Sequence, residues 1–388
     1  MPWECKTLEL IRKEFVAKAI MKTNSISELC REYGISRPTA YKWIERYKNG
    51  DCLSDKSHEP FAKPFKTPQY QEELILNARE AHPTWGARKL HRFLQNKGYD
   101  VLPAISTISD ILKRNGYISK EMSETHTPFK RFEMAAPNML WQMDFKGHFG
   151  MLNDERCHPL TILDDHSRFS LCIDAKDNER WSDTKSSLVR IFSEFGMPDA
   201  ILCDNGKPWG DRSKGYSAFD LWMMQLGVLP IHGKPLHPQT QGKEERFHRT
   251  LKTDLLSKTP IHNLAHAQQE FDIFRYCYNN ERPHEALNLD VPAKHYRASK
   301  KTYTADAREP VYDTGRWLGK VNYKGYISIN KHRYYLSETL IGKYLELIEE
   351  ANDIVSLHYG NFQIAKIDMN EQLFISRRIY RNESKNCK

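Results

Sequence analysis

Three short stretches decide the fold: WQMDF at 141–145, ILCDNG at 201–206 and GKEERFHRTLK at 242–252. Asp144 closes an apolar run that is suited to a buried strand. Asp204 follows a second apolar run, which Asn205-Gly206 ends as a turn. Both carboxylates are therefore predicted at strand ends, where a central sheet exposes side chains to a crevice. A lone buried Asp there would be costly unless it had a partner or a metal.

The third stretch carries two adjacent acids on a predicted amphipathic helix. Phe247, Leu251 and Leu255 recur at helical spacing and form its apolar stripe. At about 100° per residue, Glu244 falls within that stripe, about 60° from Phe247. Glu245 falls on the polar and basic face, with Gln241, His248, Arg249 and Lys252. We therefore predict that Glu245 is the functional acid and that Glu244 is a solvated acid at the edge of the stripe.

Three carboxylates without a nearby Cys/His set indicate a hard cation, Mg²⁺ or Mn²⁺, rather than zinc. Two such ions roughly 3.5–4 Å apart activate a water or a 3′-hydroxyl and stabilise the leaving oxygen of an in-line phosphoryl displacement. Taken singly, each acid is also compatible with an ordinary strand-end or helix-surface carboxylate, because the chain has 50 acids. The three contexts together favour a metal site.

The three stretches, extended to HPQTQGKEERFHRTLK and followed by YNNERPHEAL at 278–287, resemble the catalytic core of insertion-sequence transposases related to retroviral integrases. These DDE enzymes have a ribonuclease H-like fold. The resemblance implies that Asp144, Asp204 and Glu245 are the catalytic residues and hold two metal ions. It also places Gln241, Arg249 and Lys252 against DNA. The interval between Asp204 and Glu245 is longer than is usual in this family, and residues 209–216 are predicted to form the extra loop.

Residues 1–50 predict a helix-turn-helix DNA-binding domain of three helices. Ser25 and Glu28 fit a capping box, Gly34 fits a tight turn, and Ser36 is a good N-cap for a third helix. This layout places the last helix in the DNA major groove, and ISELCREYGISRPTAYKWIERY also resembles the N-terminal module of these transposases. The candidate DNA contacts are Arg37, Thr39, Lys42 and Arg46. A plain three-helix bundle with a solvated face is the alternative.

A Pro-marked linker at 51–68 leads to a second helix-turn-helix-like domain at 69–117. HPTWGARKLHRFLQNKGY and STISDILKRNGY resemble a second such module of related transposases. Its candidate DNA-facing residues are Ser106, Thr107, Lys113 and Arg114. A connector domain that holds a dimer would show the same pattern. A second linker, at 118–138, precedes the catalytic core.

The fold class is therefore multidomain: N-terminal all-α helix-turn-helix modules, a central α/β ribonuclease H-like core with a mixed sheet at 137–280, and a small C-terminal β-barrel at 311–380. Asp164 and Asp165 form a tempting acidic pair. They lie at a predicted hairpin tip, where Asp commonly bonds the turn backbone, and are excluded from the metal site. In the barrel, Lys331, His332, Arg333 and Lys343 either meet phosphates or form a solvated face.

Composition is compatible with this interpretation but does not decide it. The net charge of +8 permits phosphate contacts with nucleic acid. The eight Cys show no C-x-x-C pair, which predicts neither a disulfide framework nor a zinc ribbon. No apolar run is long enough for a membrane helix, and the N-terminus lacks a secretory pattern, so a cytoplasmic, nucleoid-associated protein is expected.

The resulting hypothesis is a transposase that binds the inverted ends of its element, cleaves at the 3′ ends and joins them to target DNA. Its expected partners are double-stranded DNA and further copies of the chain, as a homodimer or larger assembly. A transposase-derived DNA-binding regulator without catalysis is the main alternative. A metal-dependent nuclease without strand transfer is another, and a zinc hydrolase lacks clustered His and Cys ligands.

Overall fold

The computed structural model describes residues 7–55, 67–118, 133–206, 208–210, 215–233, 242–305 and 308–381. The chain divides into two compact units, Met1–Lys66 and Thr67–Lys388. Within the described residues, no helix has both the length and the apolar character that are needed to cross a membrane.

The first unit is the predicted three-helix module: α1 (Leu8–Ile20), α2 (Ile26–Tyr33) and α3 (Arg37–Lys48). The Ser25/Glu28 capping box is present, Gly34 ends α2 in the left-handed conformation, and the Ser36 hydroxyl accepts from the Thr39 amide. Local sequence signals therefore set every boundary around the turn. Buried Phe15, Val16, Leu29, Cys30, Ala40, Trp43 and Leu53 form its core.

The second unit begins with another three-helix module: α4 (Gln69–Ala81), α5 (Ala87–Asn96) and α6 (Ile105–Arg114). Trp85, Leu90 and Ile108 lie in its buried core. The module rests on the catalytic core through polar contacts, namely Thr84 Oγ1 donating to Asp254 (2.6 Å), Arg92 to Asp290 (3.0 Å) and Lys97 to Glu281 (3.0 Å). It is therefore anchored at the C-terminal end of the core.

The core has the predicted alternation of strands and helices. Its elements are β1 (Leu140–Phe145), β2 (Phe149–Gly150), β3 (Arg156–Asp164), β4 (Ser170–Lys176), α7 (Trp181–Phe195), β5 (Ala200–Cys203), α8 (Ala218–Gln225), β6 (Leu229–His232), α9 (Gly242–Leu251), a π-helical turn (Lys252–Leu256), α10 (Leu264–Asn280), a 3₁₀ turn (Glu285–Leu287) and α11 (Pro292–His295).

The core sheet is six-stranded and mixed. Its order is β2-β3-β1-β5-β6, with β4 also paired to β3. β1 is antiparallel to β3 and parallel to β5, and β5 is parallel to β6. Because successive strand residues alternate between faces, one face packs on α7 and α8 and the other on α9 and α10. This arrangement confirms the mixed sheet with helices on its faces.

The C-terminal region contains short strands, as predicted. They are β7 (Leu318–Lys320), β8 (Tyr326–Ile329), β9 (His332–Tyr335), β10 (Tyr344–Glu350), β11 (Ile354–Tyr359), β12 (Phe362–Asp368), β13 (Leu373–Ser376) and β14 (Tyr380–Arg381), with a 3₁₀ turn at Glu338–Leu340. Among the described residues they form a six-stranded sheet, β13-β12-β11-β10-β7 with β14 on β12, and a separate β8-β9 hairpin. The strand pairing does not close into a barrel.

The extra loop predicted at 209–216 joins these two regions. Trp209 is buried in the catalytic core, and Tyr216 is buried in the C-terminal sheet. The Tyr216 hydroxyl donates to the Ile364 carbonyl, and the Ser337 hydroxyl donates to the Tyr216 carbonyl. The additional length after Asp204 therefore docks the C-terminal sheet; residues 207 and 211–214 lie outside the described part.

Candidate active site

The parallel pairing of β1 and β5 brings Asp144 and Asp204 to one edge of the sheet. Gln142 lies opposite Leu202 in the ladder. Asp144 and Asp204 each follow two residues later, so the register places them side by side at the carboxyl ends of neighbouring strands. Both carboxylates therefore lie at strand ends, as expected; that they serve one functional site stays a prediction.

The two aspartates repel each other and are partly removed from water. Burial, followed by the charge of Asp204, raises the pKa of Asp144 to about 7; the charges of Glu179 and Glu245 act in the same direction. Burial also raises the pKa of Asp204, against a hydrogen bond from the Gly206 amide to Asp204 Oδ1 (3.2 Å). The site therefore concentrates more negative charge than the protein itself neutralises.

The backbone of Asp204 is held by a buried pair. His232 Nδ1 lies 3.1 Å from the Asp204 carbonyl oxygen, and His232 Nε2 lies 2.7 Å from Asp220 Oδ1. Asp220 is itself fixed in the capping box of α8 with Ser217. Positioning of Asp204 thus extends into the adjacent helix.

Helix α9 lies against the core sheet with its polar face outward. Glu245 is exposed, and its charge contributes to the raised pKa of Asp144. Arg249 and Lys252 are exposed on this helix and the turn that continues it. Gln241, the remaining residue predicted on this face, lies outside the described residues. The three predicted acids therefore come from β1, β5 and α9 toward one side of the core.

The expectation for Glu244 was wrong: its side chain is 1% exposed, not solvated. Its position within the apolar stripe, about 60° from Phe247, turns it toward the sheet, and the helix packs there. Burial and the charge of Asp144 raise its pKa well above the usual value. Burial therefore disfavours the charged form of Glu244, which lies between the helix and the sheet.

A hydrogen-bonded group that the sequence did not suggest lies between these acids. The Thr161 hydroxyl is 3.0 Å from the Asp144 carbonyl oxygen, 3.2 Å from Glu244 Oε2 and 2.8 Å from His248 Nε2. His248 Nδ1 is 4.0 Å from Asp144 Oδ2. Burial and Lys146 lower the pKa of His248 to about 4, so this ring is neutral at pH 7. Thr161 lies on β3 and reaches these side chains only because β3 pairs with β1, so the sequence alone could not indicate the contact.

Glu179 is a second residue near the two aspartates that the sequence did not single out. It lies between β4 and α7 and accepts His158 Nδ1 at 2.8 Å. Its charge contributes to raising the pKa of both Asp144 and Asp204. In the sequence, Glu179 is one of two acids in DNER at 177–180 and was indistinguishable from a loop residue.

The carboxylate oxygens at this edge of the sheet fit a hard divalent cation. Burial and then the charges of neighbouring acids raise the pKa of Asp144, and a bound cation would offset both effects. Within the described ranges, however, no group of three or more His, Cys, Asp and Glu side chains is arranged so that it could hold a metal ion. That Asp144, Asp204 and Glu245 together bind a metal ion therefore stays a prediction.

The DNA-facing candidates of the first unit lie on the accessible side of its turn and third helix. Arg37 and Lys42 are exposed, and Thr39 and Arg46 are half-buried. Arg37 donates to the Ser27 hydroxyl, and the Arg46 guanidinium lies over the Trp43 ring at 4.9 Å. Trp43 itself is buried, as expected for a packing residue.

The candidates of the second module are also accessible. Ser106, Lys113 and Arg114 are exposed and Thr107 is half-buried. Arg114 forms an ion pair with Glu72, and Lys113 lies 3.9 Å from Asp110. In the C-terminal region Lys331, His332 and Arg333 are exposed, whereas Lys343 pairs with Glu309.

Comparison with protein families agrees with this organisation. Residues 134–238 and 226–292 match integrase core domains, residues 12–60 match a helix-turn-helix domain, and residues 39–112 match a homeodomain-like domain. The first core match spans Asp144 and Asp204, and the second spans α9.

Relatives include an uncharacterized 31.7 kDa protein of insertion element IS407 from Burkholderia multivorans, 26% identical over 74% of this chain and 96% of the relative. A putative transposase for insertion sequence element IS5376 from Geobacillus stearothermophilus is 22% identical over 90% of this chain and 85% of its own. Among solved structures, a magnesium complex of the HTLV-2 integrase catalytic core domain has a TM-score of 0.32 at 18% identity, covering 42% of this chain and 99% of that one.

Proposed function

Because this chain carries an integrase core domain with helix-turn-helix domains and is a homologue of insertion-sequence transposases, we propose that it is a DNA transposase. It would bind the terminal inverted repeats of its element, cleave at the 3′ ends and transfer those ends into target DNA. The observation that carries the proposal is the in-register pairing of β1 and β5, which sets Asp144 beside Asp204. Burial, followed by the charge of Asp204, raises the pKa of Asp144 to about 7.

In this proposal Asp144, Asp204 and Glu245 hold two Mg²⁺ or Mn²⁺ ions. When bound, these ions supply an activated oxygen nucleophile and charge neutralisation at the leaving oxygen. Glu245 is exposed on α9, and we expect it to complete the ligand set. Cleavage and joining share this geometry, and only the nucleophile differs, a water or a 3′-hydroxyl.

The remaining residues act on the DNA or on the acids. Arg249 and Lys252, exposed beside Glu245, would contact the phosphate backbone and orient the scissile bond. Thr161 would position the backbone carbonyl of Asp144, and the neutral His248 would position Asp144 Oδ2. The His232–Asp220 pair would hold the backbone carbonyl of Asp204. Arg37, Thr39, Lys42 and Arg46 in the first unit, and Ser106, Thr107, Lys113 and Arg114 in the second module, would bind the element ends. Joining two ends requires at least a dimer.

The test uses a duplex that ends in the element's inverted repeat, which sequencing of the DNA around the coding region would identify. Purified full-length protein with Mg²⁺ should release the 3′ flank and produce strand-transfer products with a target plasmid. A regulator without catalysis would shift the duplex in a gel and leave it intact. A plain nuclease would cut it without joined products.

Glu245→Gln and Glu244→Gln form a matched pair for this assay. Glu245→Gln should abolish cleavage and joining and keep DNA affinity, because the amide removes a charged ligand without changing shape. Glu244→Gln should retain activity, because glutamine keeps the shape of this buried side chain and burial already disfavours its charged form. Loss of activity in Glu244→Gln alone would reverse the assignment of the two acids.

A further inference from the structure

Three cationic side chains from three separate elements converge where the second helical module meets the catalytic core. Lys89 lies on α5, Arg246 on α9 directly after Glu245, and Arg282 in the turn after α10. Each of the three contributes to lowering the pKa of the buried His284 ring, and Arg282 and Arg246 contribute to lowering that of Lys89. The three charges therefore act on one small region.

Two acids only partly balance these cations. Asp254 lies 3.4 Å from Arg282 Nε and also accepts the Thr84 hydroxyl at 2.6 Å. Glu285 lies 3.8 Å from Arg246. Lys89 makes no hydrogen bond or ion pair with any residue that the structure describes. The cluster therefore keeps one positive charge in excess, and it is centred on Lys89.

The arrangement leaves polar groups unsatisfied as well as charge. His284 is 9% exposed, packs its ring on Tyr278 at 4.6 Å, and has a buried Nε2 without a hydrogen-bond partner among the described residues. Arg282 Nε is also buried, and its contact is the ion pair with Asp254. Lys89 is half-buried, and burial together with the two arginines lowers its pKa to about 8. A partly buried cation without a paired acid destabilises a fold, so an anionic ligand beside Lys89 would stabilise it.

We propose that Lys89, Arg246 and Arg282 form a binding site for a backbone phosphate of DNA, at the junction of the second helical module and the catalytic helix. A phosphodiester carries the single negative charge and the several acceptor oxygens that this cluster lacks, and arginine pairs with it in bidentate geometry. Arg246 is the exposed entrance, since its side chain is 61% accessible. The inference rests on the proposed function, and it adds a contact that orients the DNA between the end-binding module and Glu245.

The first experiment measures binding of the full-length protein to a fluorescein-labelled duplex across a salt series without divalent metal. Loss of one phosphate contact should make the slope of log K against log salt less negative by about 0.9. We expect that shift for Lys89→Gln and the wild-type slope for Lys89→Arg, which restores the charge. Lys300→Gln is the matched control. It removes an exposed lysine elsewhere in the same unit and should leave the slope unchanged.

A second measurement separates a binding role from a structural one. Lys89→Gln should raise the melting temperature in chloride, because it removes an unpaired, partly desolvated cation. Sulfate should stabilise the wild type more than Lys89→Gln. A lower melting temperature for Lys89→Gln, with sulfate acting equally on both proteins, would mean that Lys89 only packs at the interface and would overturn the inference.

The two proposals fail in different ways. A wild-type slope in Lys89→Gln, or no salt-dependent DNA binding by the wild type, overturns the phosphate site. Absence of Mg²⁺-dependent cleavage by the wild type overturns the transposase but leaves the salt series, which needs no catalysis, as a valid test of the site.

Discussion

Two pairs of carboxylates in the same sheet have opposite surroundings. Asp164 and Asp165 end β3 and are fully buried. Asp144 and Asp204 end β1 and β5 and are partly exposed. Adjacent acids in the sequence are the more conspicuous pair, yet the separated acids have the features of an active site. What distinguishes the pairs is the number of donors that surround them.

The adjacent pair is saturated with donors. Asp164 accepts the Asn138 amide (2.7 Å) and both the amide and hydroxyl of Ser167 (2.8 and 2.6 Å). Asp165 accepts the Gln142 side-chain amide (2.7 Å) and the Met134 amide (2.9 Å), and pairs with Lys243 at 2.5 Å. The predicted bond from Asp164 to the turn backbone is confirmed, and the pair additionally ties residues before β1 to the start of α9.

The separated pair has few donors and faces other acids. No cation of the chain lies against Asp144 within the described residues, where its nearest basic neighbour is the neutral His248. Asp204 accepts from the Gly206 amide and from the Trp209 side chain. Donors of the fold satisfy Asp164 and Asp165, whereas Asp144 and Asp204 face other acids, and we expect a cation from outside the chain to stabilise them.

The strongest test of this contrast is Asp144→Asn. We expect at least a roughly 10³-fold loss of cleavage, because several kcal/mol of charge stabilisation disappear with the ligand. The variant should still fold, and its DNA affinity should be unchanged. Single-turnover cleavage of an element-end duplex measures the effect. Activity within tenfold of the wild type would remove Asp144 from the catalytic centre.

The complementary change is Asp165→Ala. It leaves Lys243, Gln142 and the Met134 amide without their acceptor, and breaking a buried ion pair costs about 3–5 kcal/mol. Denaturant unfolding should show this loss in the free energy of unfolding. Lys243→Met provides the control, since it removes the cation and leaves Asp165 two hydrogen bonds. A stable Asp165→Ala protein would place this pair outside the structural framework.

The sequence predicted the elements and the three acids for one reason. Hydrophobic period, caps and turn residues are local, so the capping box at Ser25, the strand before Asp204 and the helix carrying Glu245 were all visible. Thr161 and Glu179 were not, because their proximity to Asp144 depends on strand pairing and on the β4–α7 connection. The expectation that Glu244 is solvated was wrong for a different reason. Its position on the helix was correct, but which element packs against that side of the helix depends on the tertiary structure.

The contrast also predicts a pH dependence of stability. Asp144 has a folded pKa of about 7, above its unfolded value near 4, so the folded protein holds a proton that the unfolded chain releases. Ionisation of Asp144 therefore lowers the free energy of unfolding as pH rises between about 4 and 7. In metal-free buffer, Asp144→Asn should exceed the wild type in unfolding free energy by about 4 kcal/mol above pH 7 and match it at low pH. Equal pH profiles for the two proteins would contradict the raised pKa.

Divalent metal should produce the smallest effect and the most specific one. A ligand that binds only the folded state stabilises it by about 1.4 kcal/mol at ten times its dissociation constant. Because the ion must displace the Asp144 proton, stabilisation of the wild type by Mg²⁺ should increase from pH 6 toward pH 8. Asp144→Asn should show neither the stabilisation nor its pH dependence, whereas Asp174→Asn, whose carboxylate is already paired with Arg190 at 2.6 Å, should keep both. Equal Mg²⁺ effects on the two variants would mean that the ion binds elsewhere, and the contrast between saturated and unsaturated acids would lose its functional meaning.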